Sequence, residues 1–400
     1  MPAFNLKASL NRNKLPTNYD VPVFLMIRIE PTKESETAVM QLPRKVHIVF
    51  TLDTSGSMAG EKLETAKEAI IRRFNKDLSD DDLLSLITFD TNANVVVNSV
   101  SKRSAGDFES KVRSIQASGG TNLYDGLDKS IEILANTPPG YLRRIVLATD
   151  GVPTVGITDK DKIVELVRNA RQNYNIQVDV YGIGADYDPA LCDEIARAGG
   201  GWMRHVNLAP ELEKVTQTTV LMYKATIVDK TILSINLANN VRLDDIVMAS
   251  PQVQRLSNKD LMWDLGSLVA AQEIIVVAKL IVGKGFPVGI NKIAEVWVGA
   301  TKQDVTAEFV SDQTWMQQED PLPRYYYVFA ANIATIRDKA NAGQSTAEEE
   351  GTLDQLLKSQ DVQNLILRDP IFAQIVSRYN KARTIVDSRT KVDEMTKVYS

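Results

Sequence analysis

The sequence predicts an α/β fold: a doubly wound, mostly parallel sheet inserted in a β-sandwich, with a C-terminal helical region after it. Three observations carry this reading. Short apolar runs alternate with amphipathic helical segments through the middle of the chain. Strand patterns lie on both flanks of that region. From Leu322 onward the pattern turns helical.

The central region starts with Lys45–Leu52, a short apolar run ending at Asp53, which reads as a buried strand. Lys62–Lys76 places Leu63, Ala66, Ala69, Ile70 and Phe74 at helical spacing. Leu83–Phe89 and Asn94–Val100 read as strands, and Leu123–Leu134 as a helix ending near Pro138-Pro139-Gly140. Arg144–Thr149 is a second buried strand that stops at an aspartate, Asp150. Asp161–Arg171, Pro189–Ala198 and Pro210–Lys224 read as helices, alternating with strands at Ile176–Ile183 and Gly201–Val206. Alternation of this length implies a parallel sheet covered on both faces. Such sheets bind ligands in the loops at the carboxyl ends of their strands, where Asp53 and Asp150 both sit.

On the flanks, Phe4–Leu10 and Val21–Ile29 read as strands around the turn-rich segment Asn11–Asp20. Strand patterns return at Ala225–Asn236, Val241–Val247, Ile274–Val282 and Ile290–Val298, with Gly283-Lys-Gly285 as a hairpin turn. Two N-terminal strands are not stable alone, so residues 1–42 and 224–315 are expected to form one sandwich interrupted by a 43–223 insertion. Residues 316–400 form the helical region: Tyr325–Lys339, a polar link at Asn341–Gly351 with Thr346 and Glu349 spaced as a capping box, then a helix carrying Leu353, Leu356 and Leu357. Pro370 starts a further helix through Ile375 and Val376. Tyr325-Tyr-Tyr327 reads as packing against the sandwich, and Glu348-Glu-Glu350 as a solvated link.

Composition removes several function classes. The 400 residues, 44% hydrophobic and 24% charged, suit a globular chain of two or three folded units. A single cysteine, Cys192, excludes an intramolecular disulfide and cysteine-rich zinc sites. The net charge of −5 gives no general pull toward nucleic acid. Leu268–Val282 is too short, and too interrupted by Gln272, Glu273 and Lys279, to span a bilayer. No secretory signal is visible, and the expected location is cytoplasmic.

One constellation carries chemistry. Asp53-Thr-Ser55-Gly-Ser57 presents a carboxylate and two hydroxyls at alternate positions, with Gly56 expected to turn the chain tightly. Ser118-Gly-Gly-Thr121 adds a hydroxyl on a loop open to close backbone approach, and Thr149-Asp150-Gly151 adds a second carboxylate. Oxygen donors of this kind suit a small hard cation. Asp-Thr-Ser-Gly-Ser alone could be a turn with helix capping. The separate Thr121 and Asp150 weigh against that. His205 beside Ser57 as a nucleophile pair lacks the Gly-x-Ser-x-Gly elbow. Gly56–Lys62 has the wrong spacing for a phosphate loop, Gly182-x-Gly184 is a weak match, and His47 lies inside a core strand.

With these pieces in order, residues 45–222 resemble the von Willebrand factor A family, the integrin I-like fold. The resemblance implies a complete metal-ion-dependent adhesion site at Asp53, Ser55, Ser57, Thr121 and Asp150. It implies Mg²⁺, with Mn²⁺ or Ca²⁺ as alternatives. Ser55 and Ser57 would coordinate directly, Thr121 directly in the ligand-bound state, and the two aspartates mostly through water. An acidic side chain of a partner protein would fill the open position. The function expected is therefore non-enzymatic, cation-dependent protein binding. The alternatives are a metal-dependent hydrolase or phosphatase and an assembly scaffold self-associating through its helical tail. By family analogy an AAA+ ATPase is a candidate partner. Val241–Asp245 and Leu265–Ala271 resemble the β-rich segment of prokaryotic proteins of this kind, some labelled calcium-activated chloride channel homologues; the channel label does not transfer to a chain with no predicted span.

Overall fold

The structure, a computed structural model, describes residues 2–207, 209–316, 319–385 and 387–398. It divides into two compact units, residues 37–229 and residues 1–36 with 230–400.

The first unit is built on a six-stranded sheet. Its order is Ala93–Val100, Leu83–Phe89, Val46–Asp53, Leu142–Thr149, Ile176–Ile183 and Gly200–Val206. All neighbours are parallel except the edge strand Ala93–Val100. Every residue of Val46–Asp53 is buried, as a central parallel strand covered on both faces requires. Val46, Ile48, Phe50 and Leu52 pack on one side with Leu63, Ile70 and Phe74 of the helix Glu61–Lys76 and Leu212 and Val220 of Ala209–Lys224. Val49 faces the other side, with Leu123 and Leu127 of the helix Leu123–Ala135, Ile163 and Val167 of Lys160–Tyr174, and Ile195 of Pro189–Ala198. Thr51 is tied to that layer by a 2.6 Å hydrogen bond between its hydroxyl and that of Ser130. From Val46–Asp53 the chain passes first to Leu83–Phe89 on one side and later to Leu142–Thr149 on the other. The carboxyl end of Val46–Asp53 is thus the topological switch point, where crevices open in such sheets.

The second unit holds two five-stranded sheets. One runs Phe4–Leu10, Val21–Pro31, Ile274–Val282, Val241–Ser250, Gln254–Arg255. The other runs Met262–Asp264, Ile232–Leu237, Gly289–Val298, Thr301–Val310, Lys14–Pro16. N-terminal residues enter both. Val21–Pro31 pairs along Ile274–Val282 from Val21 opposite Val282 to Ile29 opposite Ile274. Lys14–Pro16 pairs in parallel with residues 308–310. Two bonds between the Gln303 side chain and the Ala8 backbone, 2.7 and 3.0 Å, join the sheets. The helices Pro321–Asn341, Gln360–Arg368 and Pro370–Ala382 share one core with Met26, Val247, Ile275 and Val277, and Tyr326, Phe329 and Phe372 sit at its centre.

Several local expectations fail for identifiable reasons. Gly283–Gly285 is not a hairpin turn, because Ile274–Val282 and Gly289–Val298 belong to different sheets. Ala225–Asn236 breaks into Thr226–Val228 and Ile232–Leu237. The half-exposed alternation of Thr301–Val310 and the polar helix Lys33–Gln41, which buries only Val39, gave no pattern strong enough to read. Pro321–Asn341 consumes the start of the expected polar link, and Gly351 lies inside the helix Ala347–Leu356. No capping box forms there. The Thr346 hydroxyl donates to Glu350 Oε1 at 2.6 Å, and Glu349 Oε1 accepts from Lys339 Nζ at 2.5 Å. Glu350 also pairs with Lys391 at 2.7 Å, so the triplet is more than a solvated face.

Candidate metal centre

The site begins where the apolar run of the central strand ends. Asp53 is its last residue and is wholly buried. Its Oδ1 accepts the backbone N–H of Ser55 at 2.8 Å, an Asx-type turn that swings the chain out of the sheet. Its Oδ2 accepts the Thr149 hydroxyl at 2.6 Å, from the neighbouring strand end. Burial pushes the Asp53 carboxyl above its ordinary range; the donors from Ser55 and Thr149 pull the other way, and the charge of Asp150 adds to the rise.

The turn brings Ser55 and Ser57 together, with their Oγ atoms 3.1 Å apart. Ser57 Oγ donates to Asp150 Oδ1 at 2.7 Å. Gly56 is not the sterically demanding residue expected. A Cβ there would meet only Gly119 O, at an ordinary 3.7 Å, and the positive φ belongs to Gly60, which caps the helix Glu61–Lys76. The turn is set by Asp53, not by glycine.

Two backbone bonds fasten the second loop to the first: Ser118 N to Thr54 O at 2.8 Å and Gly56 N to Gly119 O at 3.3 Å. Here the glycines are required. Gly119 has φ +69°, and a Cβ on it would stand 2.6 Å from Thr91 Oγ1; one on Gly120 would stand 2.5 Å from Val155 Cγ2. Thr121 is then held by Thr154, whose Oγ1 accepts the Thr121 N–H at 2.9 Å and whose N–H donates to Thr121 O at 3.0 Å. A single point locates the cluster. A Cβ at Gly151 would lie 3.3 Å from Thr121 Oγ1, 3.9 Å from Ser57 Oγ and 4.0 Å from Asp53 Oδ2.

The structure therefore gathers Asp53, Ser55, Ser57, Thr121 and Asp150 at the switch point, from three separate loops. Among the described residues no group of three or more His, Cys, Asp or Glu side chains is placed to hold a metal. The donor set here is two carboxylates and three hydroxyls, all hard oxygens, which fits Mg²⁺ better than a softer ion. To serve as ligands, the serine hydroxyls would turn their hydrogens away and present lone pairs.

Lys62 lies outside the five-residue motif. It stands in the first turn of the helix after the loop, and its Nζ pairs with Asp150 Oδ2 and lies 3.4 Å from Ser57 O. The signal available was a lysine where the helix dipole favours acids. The histidines stay outside the site. His205 bonds Tyr187 Oη at 2.8 Å and Asn207 Oδ1 at 2.8 Å, and His47 is buried in the strand.

Comparison with known proteins agrees with this fold. Residues 46–205 match the family described as von Willebrand factor type A domain. Human inter-alpha-trypsin inhibitor heavy chain H4 is 35% identical over 171 residues, 40% of this chain and 18% of that protein, so this chain spans about a fifth of the length of that relative. Two solved structures share the fold over most of their length. The von Willebrand factor type A protein from Catenulispora acidiphila has a TM-score of 0.70 at 18% identity, covering 88% of each chain. The ArnB paralog VWA2 from Sulfolobus acidocaldarius has a TM-score of 0.62 at 17% identity, covering 99% of this chain and 97% of that one. The strand order, the loops at the switch point and these matches together identify residues 46–205 as a von Willebrand factor type A domain.

Proposed function

We propose that this chain binds a protein partner through a divalent cation held by Asp53, Ser55, Ser57, Thr121 and Asp150. Domains of this type are commonly metal-dependent protein-interaction modules. The observation that carries the reading is the convergence of two buried carboxylates and three hydroxyls at the switch point of the sheet. Mg²⁺ is the first choice, with Mn²⁺ or Ca²⁺ as alternatives. Such an ion supplies a positive centre with exchangeable water, and an acidic side chain of the partner can replace that water. Neutral hydroxyls leave the centre more electrophilic than a carboxylate cage would. Asp53 and Asp150 hold negative charge beside it, and Thr149 and the Ser55 amide fix the orientation of Asp53.

The reading is non-enzymatic. The two histidines have partners of their own, His205 with Tyr187 and Asn207 and His47 with Thr137 and Ser85. An AAA+ ATPase is one candidate partner by analogy with the family. Among the described residues, no helix is long and apolar enough to cross a membrane. The test is calorimetry of chelator-treated protein with Mg²⁺ and Mn²⁺, followed by capture from native lysate with and without chelator. Binding at millimolar ion, and capture lost on chelation and in Asp53→Ala, supports the reading. No ion binding, or chelator-sensitive capture retained by Asp53→Ala, overturns it.

A further inference from the structure

We propose that Lys62 is the resident cation of this site: its ammonium holds Asp150 when no divalent ion is bound, and has to give up that contact when one is. The inference rests on the metal-site reading and concerns how the site is regulated.

Four observations converge on Lys62. Asp150 is wholly buried, and its two oxygens have two different partners, the Ser57 hydroxyl on Oδ1 and Lys62 Nζ on Oδ2. A buried carboxylate with no counter-charge is costly, and the Lys62 ammonium is the counter-charge placed against Asp150. Second, Nζ is also 3.4 Å from the carbonyl oxygen of Ser57, a residue proposed as a direct ligand. The positive charge thus sits on Asp150, one of the proposed donors, and beside the backbone of Ser57, whose hydroxyl is another. Third, Lys62 occupies the first turn of the helix Glu61–Lys76, where the dipole disfavours a cation; its first-turn neighbours Glu61 and Glu64 follow the preference and Lys62 breaks it. The Asp150 pair, not helix stability, accounts for a lysine there. Fourth, its stem is laid along the loop after the strand Ile176–Ile183: a Cβ at Gly184 would stand 3.5 Å from Cε and 3.6 Å from Nζ. The side chain keeps about a third of its surface exposed at 32%, so it has an open side toward which to swing.

The consequence is competition between like charges for one carboxylate. Lys62 lowers the affinity for a free divalent ion and keeps the empty site from becoming two unpaired buried carboxylates. It makes ion uptake an exchange of one cation for another, and a released ammonium at the rim adds positive charge where an acidic partner group arrives.

The experiment measures Mg²⁺ and Mn²⁺ binding to the full chain by calorimetry, with melting temperature in chelator as a second readout. Lys62→Met is expected to bind the ions at least about tenfold more tightly, and to melt lower in chelator with a larger gain on adding ion. Lys62→Arg keeps the charge and should stay within about threefold of the unmodified chain. Lys160→Met, which removes a lysine paired with Asp188 at 2.5 Å elsewhere in the domain, should leave ion affinity unchanged. If Lys62→Met does not fold, Lys62→Gln, which retains one neutral donor for Asp150, takes its place. Ion affinity unchanged in Lys62→Met, or in Lys62→Gln where it takes that variant's place, or raised equally by Lys160→Met, overturns the resident-cation proposal and leaves the metal site standing. Absence of ion binding in every variant defeats the metal site itself, and this proposal with it.

Discussion

Acidification should weaken the parallel-sheet unit through His47, which lies in the same strand that presents Asp53. The ring is 1% exposed, with Nδ1 2.7 Å from Thr137 Oγ1 and Nε2 3.0 Å from Ser85 Oγ. Burial, and secondarily the charge of Arg143, pushes the imidazole down from 6.5 to about 4. The folded pKa lies below the unfolded one, so the unfolded chain takes up the proton first. The stabilising contribution is complete above pH 6.5 and is lost progressively as pH falls toward 4. A shift of that size corresponds to about 3 kcal/mol, a large share of the roughly 5–15 kcal/mol that holds a domain together. The chain has only two histidines, so imidazole resonances in an NMR titration are simple to assign with His47→Gln. One ring should remain neutral down to about pH 4, and the denaturation midpoint of the unmodified chain should fall between pH 6.5 and 4.5. The glutamine can still donate and accept, and its variant should lose that slope. A His47 ring titrating near its ordinary value in the folded chain, or an unchanged slope in the variant, would refute the reasoning.

Other outcomes follow from particular contacts. Asp53→Asn should weaken Mg²⁺ binding by about 100-fold or more while circular dichroism stays unchanged, because the loss is charge and not packing. Exposed Ser110→Ala is a suitable control, whereas Ser130 is not, since its hydroxyl is buried against Thr51. Gly182→Ala would place a Cβ 2.3 Å from Tyr187 Cζ, and should destabilise the unit by about 1–3 kcal/mol in urea melts. Tyr326→Phe removes a buried 2.7 Å bond to Asp369 and should cost about 1–2 kcal/mol in the same measurement. Deleting residues 1–31 removes Phe4–Leu10, Val21–Pro31 and Lys14–Pro16, and exposes Ile274–Val282 as an apolar edge. The truncated chain should aggregate in light scattering, and a monodisperse product would show that the sheet does not need its N-terminal strands.

What the sequence reveals follows from how far apart the determinants of each feature lie. Asp53 and Asp150 are legible because each ends an apolar run, and a parallel sheet sends both run ends to one side. Thr121 is legible only through Gly119 and Gly120, whose close approaches to Thr91 and Val155 explain why no side chain is tolerated beside it. Lys62 escapes because its partner is 88 residues away and the pairing depends on strand order, which periodicity does not encode. The sandwich shows the same limit. Ile274–Val282 is apolar at nearly every position, so nothing in it says which face meets a second sheet and which meets the helix carrying Tyr326 and Phe329. The Gly-Lys-Gly after it has the composition of a hairpin turn, yet the chain there passes from one sheet to the other. Turn chemistry specifies that the chain reverses, but the partner of each strand is chosen by burial. The same division applies at the candidate site: residue types specify which oxygens are available, and topology decides which side chains, Lys62 among them, reach those oxygens.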